Sequence, residues 1–511
     1  MSTPYYTDPE KNFSLPSVGS RTQPPEQSGR ISARRSLSDF SSWIPKYSWR
    51  TVFCLLVFAY YLGFFTIRTV LSFKSPHKYD VQTSQNSFSE KMQKLWGPYA
   101  PYYPVGEYVP PPLECKINQV NILQRHGARY PALLDVPVYR NAVEKLTSAK
   151  KFKGANMHFL KDYKYTLGED DLLPLGASQS WEAGWHAYER YRGLVGGEDD
   201  LFIRASDLPR VVDSAGNWTR GFAAASQKSI RPVTDDVLSE EVNNTLNNDC
   251  PNADDGSAQM DTWLQQFAPP IVARLNAAAR GANIDMKDVY GLMSMCPFES
   301  IVKAGSGLSA LDAQSPFCDL FSEDEWRAFE YHEDVKKYYK TGPGNTLGPV
   351  QGVGYTNELL ARLTDSPVRD HTTHNATRPF PLGRAMYVDF SHENAMVATY
   401  AAIGLFDAGV GGAPDPHRMP PEEEERVWVA SHMVPFSARM VTERLECMSG
   451  AQEAVDAVRE GTFIRIWVND ALQPLRFCGA NEDGICALDA FVDSQGYARR
   501  DSDGDFERCY T

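Results

Sequence analysis

The chain has no CxxC pair and no cysteine beside histidines at zinc-site spacing, which argues against a structural zinc module. It has no excess of base. Its 51 Lys and Arg face 65 Asp and Glu, and the net charge of −14 sets aside a nucleic-acid partner, which would need a basic face. It has no internal repeat, so repeat architectures are set aside too. The acidic string Asp501-Ser502-Asp503-Gly504-Asp505 starts like a calcium loop, but the chain ends before the distal glutamate such a loop requires, so it reads as a polar surface turn. His371 and His374 stand three apart in a polar stretch beside a sequon and read as surface residues rather than metal ligands. No metal is therefore assigned.

What is present is a chain of 511 residues, 42% hydrophobic and 12% aromatic, enough for a large enzyme domain with insertions or for two or three domains. Of the nine cysteines, Cys54 lies in an apolar run. The rest, Cys115, Cys250, Cys296, Cys318, Cys447, Cys478, Cys486 and Cys509, form an even, scattered set downstream, which reads as disulfides made in an oxidising compartment. Sequons at Asn217, Asn243 and Asn375 point the same way, to a lumenal or extracellular glycoprotein.

The N-terminal part is organised differently. Residues 1–48, rich in Ser, Pro and Thr, read as a disordered cytosolic tail. Thr51 to Ile67 carries no charge, and with its flanks the segment 49–73 is long enough to cross a ~30 Å hydrocarbon core. It lies too far from the N-terminus for a cleaved signal peptide and is expected to be a transmembrane signal-anchor. Lys and Arg flank it on both sides, so orientation rests on the cysteines and sequons: tail inside, remainder outside. Residues 74–113, with a Pro- and Tyr-rich stretch, read as a linker and wrapping segment. Beyond them, 114–511 reads as one α/β domain. Its expected strands are Lys116–Gln124, Tyr387–Phe390 and Phe463–Val468, with a helical insertion within about 130–380.

Directly after the first of these strands stands Arg125-His126-Gly127-Ala128-Arg129-Tyr130-Pro131. A phosphate monoester is a dianion, and its transfer needs charge neutralisation and a nucleophile. Guanidinium groups grip phosphate oxygens with paired hydrogen bonds. A neutral imidazole can attack phosphorus and form a covalent intermediate that water later hydrolyses. Gly127 lets the backbone turn and come close.

With this string, FIRAS at 202–206, SPFCDLF at 315–321, KKYY at 336–339, GPVQGVGYTNELLARLT at 348–364, DFSHEN at 389–394 and RIWVND at 465–470, the sequence resembles the histidine acid phosphatases. These form branch 2 of the histidine phosphatase superfamily, and the likeness is to its fungal phytase-like members. The resemblance implies a phosphoglycerate-mutase-like α/β sheet domain with a helical insertion domain, here behind one N-terminal transmembrane helix. It implies His126 as nucleophile, Arg125, Arg129, Arg204 and His392 as phosphate ligands, and Glu393 as proton donor to the leaving group. Phytase-like members usually carry aspartate at that last position. Lys336 and Lys337 match a place where such enzymes hold the outer phosphates of a substrate such as an inositol phosphate. The implied disulfides are Cys115–Cys447, Cys250–Cys509, Cys296–Cys318 and Cys478–Cys486. The expected activity is cofactor-free hydrolysis of small phosphomonoesters with an acidic optimum, phytase-like or broad. The alternatives are a narrow phosphatase for another ester and a surface protein that binds phosphate ligands without turnover.

Overall fold

A computed structural model describes residues 87–305, 313–407, 409, 412–448 and 460–511, all within one unit, Ser84–Thr511. The expected tail, the apolar segment 49–73 and the linker as far as residue 86 lie outside the described residues. Among the described residues no helix is long and apolar enough to cross a membrane.

Among the described residues ten strands occur, in chain order: β1 (Cys115–Arg125), β2 (Lys151–Phe152), β3 (Leu201–Ser206), β4 (Asp236–Leu238), β5 (Ala279–Arg280), β6 (Met386–Ser391), β7 (Arg439–Cys447), β8 (Gly461–Val468), β9 (Ala471–Leu472) and β10 (Cys486–Ala487). Eight of them form one mixed sheet in the order β10-β8-β7-β1-β6-β3-β4, with β9 on β8, while β2 and β5 pair separately. Residues of β1 alternate between faces, as the two-residue period of a strand requires. Val120 and Ile122 enter one apolar cluster and Leu123 another, so both faces are covered and the strand is buried along its second half.

Four neighbours, β1, β6, β3 and β4, run parallel. In register, Arg125 lies beside Ser391, and Arg204 lies beside both Asp389 and Asp236. The carboxyl ends of all four strands therefore reach the same edge, where ligands of parallel sheets bind. Each strand delivers its chain there: β1 into His126, β6 into His392, β3 into a helix that begins at Pro209, and β4 into Glu240.

The helices used below are α1 (Ser87–Lys94), α2 (Val136–Thr147), α3 (Pro174–Tyr191), α4 (Pro209–Ala225), α5 (Ser257–Ala278), α6 (Met286–Ala304), α7 (Glu323–Lys340), α8 (Val353–Thr364) and α9 (Glu393–Ile403). The expectation of an α/β fold with helices added to a sheet holds. The helical matter, however, is not one uninterrupted stretch, because β3 and β4 lie within 130–380 and the parallel sheet needs them. α2, α5, α6 and α7 share a core with Tyr139, Ile271, Phe298 and Trp326. α7 opens on a capping box, Ser322 Oγ accepting from the Glu325 N–H and the Glu325 carboxylate from the Ser322 N–H, which satisfies donors that a helix start leaves bare. α9 ends on Gly404 at φ +92°, a left-handed turn that favours glycine.

The disulfides join Cys115 to Cys447, Cys250 to Cys509, Cys296 to Cys318 and Cys478 to Cys486, the four pairs the resemblance implies. The first clips the start of β1 to the end of β7, where the two cysteines are already register partners. Cross-links of this kind stabilise by about 2–5 kcal/mol, chiefly by restricting the unfolded chain.

Candidate active site

His126 leaves β1 fully buried. Its backbone is held on both sides, its N–H donating to the Ser391 carbonyl at 3.1 Å and its carbonyl accepting from the Ser437 N–H at 3.0 Å. Gly127 abuts Gly176 near the start of α3 so closely that a Cβ on either would strike the other's backbone region, which is why the motif needs glycine here. The imidazole Nδ1 lies 2.9 Å from the Gly127 carbonyl. A carbonyl only accepts, so Nδ1 carries the proton and Nε2 keeps its lone pair. Nε2 has no hydrogen-bond partner among the described residues. Burial, then the charges of Arg125 and Arg129, with His392 and Arg210 adding to them, hold the ring's pKa well below the ordinary histidine value. The shift favours the neutral, nucleophilic form of the ring.

Arg125 is anchored through Nη1 to the carbonyls of Pro98 at 2.5 Å and Val434 at 2.7 Å, while its Nε and Nη2 are buried without hydrogen bonds. Its Nη2 faces Glu393 Oε2 at 3.0 Å as an ionic contact, out of line for a hydrogen bond. Desolvation lowers the Arg125 pKa to about 10, partly offset by Glu393. Arg129 donates from Nη1 to the Tyr130 carbonyl at 2.7 Å, and its buried Nε is free of hydrogen bonds. Glu393, the first residue of α9, places Oε2 3.9 Å from His126 Nε2 and Oε1 3.6 Å from Lys337 Nζ. Burial would raise its pKa, but Arg125, Lys337, Arg129 and His126 outweigh it and hold the carboxyl well below the usual range. The His392 ring stands edge-on to His126 at 5.5 Å between centroids and bonds Glu240 through Nε2 at 2.6 Å.

Arg204 is not brought to this cluster. It lies inside β3, 3% exposed, with Nε bonded to Asp389 at 2.7 Å and Nη2 to Glu358 at 2.6 Å. Arg362 shares Asp389, and His374 shares Glu358. The third arginine whose charge acts on His126 is Arg210, in the first turn of α4. Its Nε is buried without a partner, and its Nη1 is 3.3 Å from Asp170. Desolvation and Arg129 lower its pKa.

Arg210 and Glu240 are the site residues that sequence reasoning missed. A signal for Arg210 was there: like His126 it stands close after the end of a parallel strand, here in the first turn of the helix that follows. Glu240 had none, because its relation to His392 spans 152 positions. Glu240 Oε1 also accepts from Ser206 Oγ. Burial would raise the Glu240 pKa, yet the bond and charge of His392, then Ser206 and Arg210, bring it below the ordinary value.

The lysine pair on α7 divides. Lys337, 3% exposed, reaches Glu393 and bonds Asn394 at 2.6 Å, and desolvation lowers its pKa to about 7 although Glu393 resists. Lys336 turns to the hydroxyls of Tyr290 at 3.1 Å and Tyr99 at 3.4 Å and to Glu333 at 3.5 Å. His374 departs from its surface reading, since its side chain is 11% exposed and bonded to Glu358, whereas His371 is exposed and pairs with Asp501. Among the sequons, Asn375 is exposed, Asn217 sits inside α4, and the Asn243 amide donates to the Tyr510 hydroxyl.

The family model of the histidine phosphatase superfamily (branch 2) matches residues 116–469. Phytase A of Arthroderma benhamiae is 37% identical over 436 residues, covering 81% of this chain and 92% of that protein. Phytase A of Aspergillus fumigatus is 37% identical over 441 residues, covering 82% and 90%. The crystal structure of the phytase from D. castellii superposes with a TM-score of 0.63 at 22% identity, covering 80% of this chain and 85% of that one. A multiple inositol polyphosphate phosphatase of Bifidobacterium longum, solved with inositol hexasulfate, gives 0.57 at 13% identity, covering 80% and 98%. The latter two show a shared fold, and the family model with the two phytase sequences establishes that the chain belongs to the histidine phosphatase superfamily, branch 2.

Proposed function

We propose that the protein is a histidine acid phosphatase of phytase-like type, hydrolysing phosphomonoesters through a phosphohistidine on His126. The observation that carries this reading is a buried imidazole with a bare Nε2 lone pair, facing a carboxylate at 3.9 Å and ringed by guanidinium groups with unused donors. Nε2 attacks phosphorus, the P–O bond to the leaving group breaks, and protonated Glu393 supplies a proton to the departing oxygen. Water then attacks the phosphohistidine, the N–P bond breaks, the water's proton passes to the Glu393 carboxylate, and inorganic phosphate leaves. The Nδ1–H bond to Gly127 persists throughout and supports the positive charge on the phosphorylated ring.

A tetrahedral phosphoryl group cannot fit between Nε2 and Oε2 at 3.9 Å, so substrate displaces the Glu393 carboxylate from Arg125. Arg125, Arg129 and Arg210 then spend their free donors on phosphate oxygens, with His392 beside them. Neutralising those cations also lifts the Glu393 pKa, so that the bound ester creates the acid its own cleavage needs. The depressed pKa of His126 extends its neutral form toward acid, as an acidic optimum needs. Inositol phosphates, which the relatives' names carry, are the proposed substrates, with Lys337 as the cation for an outer phosphate. A narrower ester specificity is favoured by one observation, the engagement of Lys336 with Tyr99, Tyr290 and Glu333.

We also propose that segment 49–73 anchors the enzyme with its catalytic part lumenal or extracellular and glycosylated at Asn217, Asn243 and Asn375. The four disulfides support an oxidising compartment. Protease protection of sealed vesicles, with and without glycosidase, checks this, and a digested catalytic part would refute the orientation.

The test of activity is phosphate release from phytate and from an aryl phosphate across acid to neutral pH, beside His126→Ala. Release in acid that vanishes in the folded mutant is expected. A folded wild-type protein that releases phosphate from neither ester would sink the hydrolase reading.

A further inference from the structure

A cleft of about 260 Å3 opens on the α3–α4 face of the sheet, away from the catalytic cluster. Its walls come from β1, β7, α3, α4 and the segment around Tyr102, and no residue placed in the hydrolytic machinery lines it. Ile122, Ala183, Ala187, Trp218 and Val441 make it apolar, the two alanines of α3 leaving the space open.

Two groups in this apolar cleft lack partners. The Arg439 guanidinium stacks over the Tyr102 ring at 3.8 Å, its Nε is buried without a hydrogen bond, and none of its nitrogens bonds an acceptor among the described residues. Two carboxylates feel its charge without a hydrogen bond to it, Glu182 and Asp470, and Asp470 is committed to Arg190 at 2.8 Å and to the Tyr102 hydroxyl at 2.9 Å. On the floor, Gln124 is wholly buried, with one amide end on Ser437 Oγ at 3.1 Å and the other without a partner. Either end of the amide suits a hydroxyl, so the free end can present N–H. Buried polar groups are normally hydrogen-bonded, and a guanidinium left bare in an apolar cleft matches a planar oxyanion.

We infer that this cleft is a second ligand site, taking a small monocarboxylate with a flat apolar body. The carboxylate lies on Arg439 with Gln124 beneath it, and the body lies against Ala183, Ala187 and Trp218. The space suffices, since a cavity of roughly 150 Å3 already accommodates benzene. The occupant also sits near the nucleophile's backbone: Gln124 bonds Ser437, whose N–H holds the His126 carbonyl.

Benzoate is the probe, followed by saturation-transfer NMR on the full-length chain with saturating inorganic phosphate to fill the catalytic cluster. Transfer to benzoate is expected in the wild type, and a loss of fivefold or more in Arg439→Gln and in Ala187→Phe, which fills the cleft. Hydrolysis of an aryl phosphate by Arg439→Gln stays near the wild-type rate, separating this site from the catalytic one. Absence of transfer in the wild type, or undiminished transfer in folded Arg439→Gln, overturns the inference. Should Arg439→Gln fail to fold, Ala187→Phe decides on the same criterion.

Discussion

Around Asp389, the guanidinium of Arg204 gives its Nε to that carboxylate and its Nη2 to Glu358, while Arg362 and His374 complete the set. Around His126, at the end of the neighbouring strand β1, arginines leave buried donors bare: Nε and Nη2 of Arg125, Nε of Arg129 and Nε of Arg210. Both clusters hold arginine, histidine and carboxylate. Among the described residues the first cluster leaves one buried guanidinium nitrogen bare, Arg362 Nε, and the second leaves four. A buried unpaired donor is costly, so four of them gathered around one imidazole point to a ligand that supplies the missing acceptors. Saturation separates a framework ion network from a binding site, where residue type and burial do not.

The sharpest way to break this comparison is to truncate one arginine from each cluster. Arg204→Ala takes a guanidinium from the buried Asp389 and Glu358, which keep only Arg362 and His374 as charged partners, and is expected to cost about 3–5 kcal/mol in chemical denaturation. Arg210→Ala is expected to lower kcat/KM on the order of 10²–10³-fold while stability changes by under about 1 kcal/mol. The reverse pattern would place Arg204 in the site after all.

Next in size is Glu393→Gln. It removes the proposed proton donor, so kcat for an alkyl phosphate is expected to fall by about 10²–10⁴-fold, and much less for a nitrophenyl ester whose leaving group needs no proton. Inhibition by inorganic phosphate tightens in the same variant, because the anion facing Arg125 is gone. Equal losses for both esters would show that Glu393 acts otherwise.

Lys337 gives a smaller effect with a defined sign. Its pKa of about 7 means that it is charged below that pH and loses its charge above. KM for a polyanionic ester is expected to rise as pH passes through neutrality, and Lys337→Arg, which stays charged, flattens that rise. An unchanged slope in the arginine variant would remove Lys337 from substrate binding.

The mildest prediction concerns acid stability. Glu358 and Glu333 have folded pKa values of about 2, because neighbouring cations outweigh the burial that would raise them. Groups depressed in this way stabilise fully above their unfolded value near 4.5, and the stabilisation is lost as pH falls toward 2. Denaturation free energy should hold from neutral pH down to about 4.5 and decline below it. A decline that begins at neutral pH would refute the assignment.

Much of this was legible beforehand. The strand before the motif, the pairing of cysteines implied by the resemblance, and the chemistry of His126 and Glu393 agree with their places in the fold. Arg204 was misjudged because a strand presents successive side chains to opposite faces, and the string FIRAS does not say which face meets carboxylates. Lys336 and Lys337 are adjacent on a helix and therefore diverge by about 100° around its axis, so only one can reach Glu393. The surface reading of His374 overlooked Glu358, sixteen residues earlier on α8.

By itself, the sequence carried the proposed reaction chemistry, since a histidine flanked by arginines after a strand offers both a nucleophile and an anion cradle in one short segment. It also determined the family, through matches spread along the chain. The tertiary structure alone decided which arginine completes the cradle, that Glu240 backs His392, and that Arg439 stands without an acceptor. The reason is that hydrogen-bond saturation depends on partners contributed by distant strands and helices, and local sequence carries no record of which donors those partners fill.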